Sequence, residues 1–222
     1  MVLVCEHASR HIPLELQRLG LDEAAAQEHI AWDIGALALA EQLSRHLDAP
    51  LLAAGYSRLL IDLNRPLEAP DSIPPPREIY PVPGNHALSE AVRRYRQDCL
   101  FHPFHDRLAQ LLDQRQAAGL PPRGVGVHSV TPGYHGRPRP LVAGVLYRNA
   151  GAYAERILDG LRRQSLEVAG NQPYAIDPAE DTTVPVHGDA RGLEAVLLEI
   201  RNDGLRTPEA VRTWAERLHP WL

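Results

Sequence analysis

The chain has 222 residues, 44% hydrophobic and 23% charged, a composition typical of a globular protein with a substantial core. Its formal net charge of −5 does not favour nucleic-acid binding, which usually requires a basic patch. The two cysteines lack a CxxC spacing, so the sequence supports neither a disulfide framework nor a thiolate zinc site. The sequence contains no apolar run of membrane-spanning length and no signal-peptide pattern, so we expect a cytoplasmic protein with no membrane partner.

Strand and helix patterns alternate through the first half of the chain. A short apolar run at residues 1–5 predicts a buried strand, and residues 33–47 have the apolar spacing of a helix. Residues 49–64 return to strand character. A helix over residues 89–119 should begin at a serine cap and kink at Pro103.

The second half continues the alternation. Strands are predicted at residues 124–130, 141–147 and 194–203, and helices at residues 150–164 and 207–218, the last capped by Thr207. Strands alternating with helices favour the α/β class. We therefore expect one domain over residues 1–222, a three-layer sandwich in which helices cover both faces of a mostly parallel mixed sheet.

Polar side chains occur where the predicted strands end. Glu6 and His7 follow the first strand, His128 and Ser129 end the third, and Glu199 lies on the last. Ligands of open α/β sheets gather beyond the carboxyl ends of the strands. The sequence therefore predicts a site at this edge of the sheet.

The stretch "YSRLLIDLNRP", residues 56–66, also looks like a strand with one apolar face. Its apolar face would consist of Leu59, Ile61 and Leu63. The remaining positions include polar residues that a core strand would not need, namely Arg58, Asp62 and Asn64, with Arg65 next in sequence. We expect these polar residues to line the same site.

This combination of side chains suits a metal-assisted hydrolase. Imidazoles and a carboxylate can hold zinc with one position open for water, and a second carboxylate can take the proton of that water. A guanidinium can stabilise an oxyanion, and another can bind a substrate carboxylate. The alternatives are structural: hydrogen-bonding histidines, a pair between Glu199 and Arg201, and a buried ion pair between Arg58 and Asp62.

Seven stretches together resemble the N-formylglutamate amidohydrolase family. They run in order over nearly the whole chain: "CEHAS", "HIAWDIGA", "YSRLLIDLNRP", "FHPFHDRL", "GVHSVTP", "RPLVAGVL" and "VLLEIRND". The family is similar in fold to zinc carboxypeptidases and aspartoacylase-like deacylases. The set is specific, although each stretch alone is weak.

The resemblance implies a role for each matching residue. The metal ligands for one Zn²⁺ would be His7, Asp33 and His128. Glu199 would be the general base and Arg58 the oxyanion donor. The substrate contacts would be Asn64 and Arg65 as a carboxylate clamp, with Ser129, Arg201 and His187.

The third metal ligand departs from the carboxypeptidase pattern. That pattern has a glutamate three residues after the first histidine, where this chain has Arg10, which cannot bind a metal. Glu6 is an alternative, but side chains of adjacent strand residues point to opposite faces, so Glu6 and His7 would not converge easily. We prefer Asp33, which lies in a stretch that carries the resemblance.

The expected activity is hydrolysis of the amide of an N-acylated amino acid with a free carboxylate. N-formylglutamate, giving glutamate and formate, is the named substrate. Other N-acyl amino acids, a small peptide, or a metal-binding protein without catalysis are the alternatives. The expected partner is thus a small anionic molecule, and the sequence does not indicate an oligomeric state.

Overall fold

The computed structural model describes residues 1–120, 122–134 and 136–222, with Arg77 described by its backbone alone. The α-helices of this part are α1 (Ala36–Leu47), α2 (Glu90–Arg96), α3 (His102–Ala117), α4 (Gly151–Arg162) and α5 (Pro208–Leu218). The strands are β1 (Val2–Cys5), β2 (Leu51–Ala53), β3 (Pro76–Arg77), β4 (Tyr80–Pro81), β5 (Arg123–Val130), β6 (Gly133–Tyr134), β7 (Arg137–Pro138), β8 (Ala143–Leu146), β9 (Val168–Gly170) and β10 (Glu194–Arg201).

Six of these strands form one sheet in the order β2-β1-β5-β10-β8-β9. Neighbouring strands are parallel except β8 and β10, which are antiparallel. The longest pairing joins β5 to β10 over eight residues of each strand, and it sets Glu199 beside His128. The sheet is thus mixed and mostly parallel, which confirms the predicted fold class.

Helices cover both faces of the sheet. Leu3 of β1 belongs to a buried cluster with residues of α1, α4 and α5. Its neighbour Val4 points to the other face, where it is buried with Leu108 and Leu112 of α3. This alternation along a strand gives three layers. No helix among the described residues is both long and apolar enough to cross a membrane.

Two predicted helix caps are confirmed. Ser89 Oγ accepts a hydrogen bond from the Val92 backbone N–H, and Thr207 Oγ1 accepts one from Ala210 N–H. The long helix predicted over residues 89–119 is interrupted by a wider turn over Gln97–Phe101, between α2 and α3. Pro103 lies in the first turn of α3, directly after this wider turn, so the helix is interrupted next to the position of the predicted kink.

The strand predicted over residues 49–64 is wrong beyond its first part, because only Leu51–Ala53 is a strand. The following residues form turns held by side-chain hydrogen bonds. Ser57 Oγ accepts from Leu59 N–H, and Asp62 Oδ1 accepts from Asn64 N–H. Such bonds offer the backbone an alternative to a strand ladder.

Candidate active site

Three side chains converge at the carboxyl ends of β1 and β5. His7 follows β1, His128 lies near the end of β5, and Asp33 lies just before α1. Two backbone contacts fix Asp33: its N–H donates to the His7 carbonyl at 2.9 Å, and Ser129 N–H donates to Asp33 Oδ2 at 3.2 Å. The turn into α1 uses Gly35 at φ +83°, where a Cβ would lie 2.5 Å from Leu205 Cβ.

The donor atoms of His7, Asp33 and His128 all lie within 4.8 Å of one another. Asp33 Oδ2 lies 3.4 Å from Nδ1 of His7 and 3.0 Å from Nδ1 of His128. All three side chains are buried. Imidazole nitrogen and carboxylate oxygen are zinc donors, so this cluster could hold a metal ion.

A carboxylate lies behind each imidazole. Nε2 of His7 donates to Asp62 Oδ1 at 2.6 Å, and Nε2 of His128 donates to Glu6 Oε2 at 3.0 Å. With the hydrogen on Nε2, a neutral ring keeps the lone pair of Nδ1 for a metal. Metal-binding histidines usually have such a partner, so the residues present fit a divalent metal ion.

The electrostatics of the cluster also favour a cation. Burial alone would raise the pKa of Glu6, but attraction to His128 lowers it to about 2. Burial opposes ionisation of Asp33 as well, yet the two imidazoles hold its pKa well below the usual value. Burial would lower the pKa of His128, but Glu6 and Asp33 raise it well above normal. The carboxylates therefore stay charged and stabilise positive charge between them.

Glu199 lies beside His128 in the sheet and is almost fully buried. Its Oε1 accepts a hydrogen bond from the Tyr174 hydroxyl, whereas Oε2 has no hydrogen-bond partner among the described residues. Burial, supported by the charge of Asp33 and opposed by His128, raises the pKa of Glu199 to about 7. A carboxylate with such a pKa can exchange a proton near neutral pH.

Arg58 connects the two aspartates of the site. Its Nε and Nη2 donate to Asp62 Oδ2, and its Nη1 donates to Asp33 Oδ1 at 3.2 Å. Burial would lower its pKa, but these two carboxylates raise it above the ordinary value. Arg58 borders the cavity beside the cluster and remains charged, while its role as oxyanion donor stays a prediction.

A cavity of about 450 Å³ opens beside the cluster. His7, Asp33, His128 and Glu199 line one part of it, and Tyr174 lines it as well. Other loops contribute further charged side chains, namely Arg65, Asp71, Glu78, Arg139, Glu180 and Asp181. The cavity is therefore polar, and its walls carry imidazoles, carboxylates and guanidinium groups.

Three of the predicted substrate residues line this cavity, namely Ser129, Asn64 and Arg65. Ser129 Oγ donates to the carbonyl of residue 34, so its hydroxyl hydrogen is engaged. Asn64 Nδ2 donates to Asp181 Oδ1 at 3.0 Å, and its Oδ1 accepts from Thr183 N–H. Asn64 thus holds the loop at the cavity wall, and the predicted clamp role stays a prediction.

Arg65 has acidic neighbours at the edge of the cavity. Its Nε lies 3.1 Å from Asp71 Oδ2, and its Nη1 donates to the Glu180 carbonyl at 2.6 Å. Its Nη2 has no hydrogen-bond partner among the described residues. That side of the guanidinium is available to a substrate anion.

Arg201, a predicted substrate contact, has other partners in the structure and is not part of the described cavity lining. It bonds Asp203 at 2.8 Å through Nε and donates from Nη1 to the Arg139 carbonyl at 3.0 Å. Through the second contact, Arg201 of β10 holds the backbone of Arg139, which lines the cavity. The predicted contact of Arg201 with substrate stays a prediction.

His187, the other predicted substrate residue outside the cavity lining, packs against His105 of α3. Their rings are stacked, and His105 Nδ1 lies 2.9 Å from His187 Nε2. His187 lines a different small cavity, so the structure does not bring it to the site. Burial, with the nearby charges of His105 and Arg191 and against that of Glu6, lowers its pKa to about 4.

Three residues that border the site have contacts that the sequence did not predict. Asp62 is expected at the site from its stretch, but its contact with His7 spans 55 positions and has no signal in the spacing. Tyr174 reaches Glu199 from a segment without a recognisable motif. Arg139 lies within the stretch "RPLVAGVL", which could have drawn attention to it.

Comparisons with known proteins agree with this geometry. A family model described as N-formylglutamate amidohydrolase matches residues 1–205. The solved structure of a gene product from Agrobacterium tumefaciens is 42% identical, covers 99% of this chain and 87% of its own, and has a TM-score of 0.95. An N-formylglutamate amidohydrolase from Ralstonia eutropha JMP134 shares 20% identity over 99% of this chain and 90% of its own, with a TM-score of 0.65, a likeness of fold.

No curated protein matches the chain. The family match ends at residue 205, so one domain over all of residues 1–222 stays a prediction.

Proposed function

Because the chain belongs to the N-formylglutamate amidohydrolase family and is thus a hydrolase of an amide C–N bond, we propose that it binds N-formylglutamate beside one Zn²⁺ ion held by His7, Asp33 and His128. Hydrolysis of N-formylglutamate to glutamate and formate is the reaction that membership supports. The observation that carries the proposal is the position of Glu199, which lies in register with His128 and has one carboxylate oxygen that accepts no hydrogen bond from a described residue.

A zinc ion supplies a Lewis acid that lowers the pKa of water towards neutrality and polarises a carbonyl oxygen. Two buried carboxylates orient the histidines that would hold this ion. Asp62 and Glu6 hold the imidazoles of His7 and His128 in the orientation that directs Nδ1 towards Asp33.

Glu199 moves the proton in the proposed reaction. Its carboxylate takes a proton from the attacking water, whose oxygen forms a bond with the formyl carbon. The C–N bond then breaks, and Glu199 gives the proton to the leaving amine, so the products are formate and free glutamate. Tyr174 fixes Oε1 and leaves Oε2 for this transfer. Arg58, at the wall of the cavity, stabilises the negative charge on the former carbonyl oxygen.

Arg65 is the proposed binding group for one substrate carboxylate. Its Nη2 is not engaged by a described residue, and Asn64 ties the neighbouring loop in place through residues 181–183.

We also propose a cytoplasmic location, which the free thiols of Cys5 and Cys99 support because cytosolic thiols stay reduced.

Replacement of the base tests this proposal. Glu199→Gln keeps the shape and the acceptor for Tyr174, but it cannot take a proton. We expect kcat for formate release from N-formylglutamate to fall by about 10²- to 10⁴-fold, with unchanged metal content. Glu194→Gln, on the same strand but exposed, is the matched control and should retain full activity.

Near-full activity of Glu199→Gln would show that Glu199 is not the base. Parallel assays with N-acetyl amino acids and small peptides identify the acyl group. If these substrates turn over and N-formylglutamate does not, the named substrate is wrong.

A further inference from the structure

Among the described residues, three arginines line the main cavity, and two of them already have carboxylate partners. Arg58 is bonded to Asp62 and Asp33. Arg65 is paired with Asp71 at 3.1 Å. Arg139 lies within salt-bridge distance of no carboxylate among the described residues, although it lines the same cavity.

The position of Arg139 is fixed by contacts that leave its charge uncompensated. Its Nη1 donates to the carbonyl and to Oγ1 of Thr131, both at 3.1 Å. Its guanidinium carbon lies 5.1 Å from the centre of the Tyr134 ring. Its backbone N–H donates to Pro132 O, and its carbonyl accepts from Arg201. Nε and Nη2 have no hydrogen-bond partner among the described residues.

Arg139 also lies close to the proposed base. Besides the main cavity, Arg139 and Glu199 together line a second space of about 130 Å³. An anion bound at the free edge of Arg139 would therefore lie near the reacting centre. Arg65 borders a different stretch of wall, with Asp71 and Glu180.

The acidic lining of the cavity makes a free guanidinium important for binding an anionic substrate. Several carboxylates line the outer wall, including Asp71, Glu78 and Glu180. They would repel a substrate that carries two negative charges, because like charges at close range oppose binding. Each substrate carboxylate therefore needs its own cationic partner, and a guanidinium edge can bind a carboxylate through two parallel hydrogen bonds.

We propose that Arg139 binds the second carboxylate of a dicarboxylic N-formyl amino acid, so that it selects N-formylglutamate over its neutral analogues. The proposal rests on the proposed function and adds a specificity residue to it. Arg65 takes one carboxylate and Arg139 the other. Arg201 acts only by holding the backbone of Arg139.

The test compares two substrates of nearly equal shape, N-formylglutamate and N-formylglutamine. The wild-type protein should prefer N-formylglutamate in kcat/KM. In Arg139→Gln that preference should fall by about 10- to 100-fold, through a higher KM for N-formylglutamate. Activity on N-formylglutamine should remain, which also shows that the variant is folded. Arg137→Gln, an exposed neighbour outside the described cavity lining, is the matched control and should keep the wild-type preference.

Each outcome separates the two proposals. If the wild type hydrolyses neither compound, the proposed function is wrong and the inference falls with it. If the wild type hydrolyses N-formylglutamate and Arg139→Gln keeps the same preference, the inference alone is overturned. Should Arg139→Gln lose both activities, Arg139→Lys decides between the two explanations. If Arg139→Lys prefers N-formylglutamate over N-formylglutamine within a few-fold of the wild type, the positive charge at this position binds the second carboxylate. If that preference is lost, the inference is contradicted.

Discussion

Glu6 offers a direct test of how the cluster is organised, because it was the alternative third ligand and the structure places it behind His128. Its Oε2 accepts from Nε2 of that ring at 3.0 Å, and only 1% of the residue is exposed. With a pKa of about 2, Glu6 is a carboxylate at neutral pH. Glu6→Gln keeps the length and the acceptor but removes the charge.

The structure sets the size of the expected effect. His128 keeps its Nε2–H bond to the amide oxygen of the new residue, so the ring orientation survives. The ring becomes a weaker donor because the adjacent negative charge is gone. Changes of this kind lower metal affinity by about 10- to 100-fold, which corresponds to about 1.4–2.7 kcal/mol.

The assay is competition for Zn²⁺ with a chelator of known affinity, measured for the wild type, Glu6→Gln and Asp33→Asn. The matched control is Glu41→Gln on the exposed face of α1, which should bind zinc as the wild type does. A loss in Glu6→Gln as large as that in Asp33→Asn would mean that Glu6 is itself a ligand. Unchanged affinity would refute the account of Glu6 as the partner that orients His128.

Two further predictions concern buried partners. Asp62→Asn removes the charge that both His7 and Arg58 contact, so zinc affinity should fall about 10- to 100-fold in the same chelator competition, and unchanged affinity would contradict the pairing. His187 has a folded-state pKa of about 4 against an ordinary 6.5, so only the unfolded chain binds a proton as pH falls between these values. Stability should therefore decrease by about 3 kcal/mol from pH 7 to pH 4 on account of this group. Denaturant unfolding of metal-free protein should show a shallower pH dependence in His187→Gln, and an equal slope would refute the burial of a neutral imidazole.

The sequence predicted much of the fold and the centre of the site. The sheet follows from alternating strand and helix patterns, and the parallel strands β1, β5 and β10 bring their carboxyl ends to one edge. His7, His128 and Glu199 meet there because each lies at or near the end of one of these strands. Three-residue β9 was not predicted, since so short a segment shows no alternation.

The remaining features depend on contacts that no local pattern records. In the segment at residues 56–66, the alternation of Leu59, Ile61 and Leu63 predicts a strand, but Leu60 is buried too. Backbone N–H groups of this segment donate to side chains, as Leu59 does to Ser57, in place of the hydrogen bonds of a strand ladder. The partners behind the imidazoles likewise depend on tertiary packing, which sequence spacing does not show.

The central claim is that His7, Asp33 and His128 together bind one divalent metal ion. The most direct measurement is the metal content of purified protein and its zinc dissociation constant, for the wild type and for Asp33→Asn. We expect one ion per wild-type chain, and a loss of zinc affinity in Asp33→Asn that exceeds the effect of about 10- to 100-fold for removal of a hydrogen-bond partner of a ligand. Equal stoichiometry and equal affinity in the two proteins would contradict it.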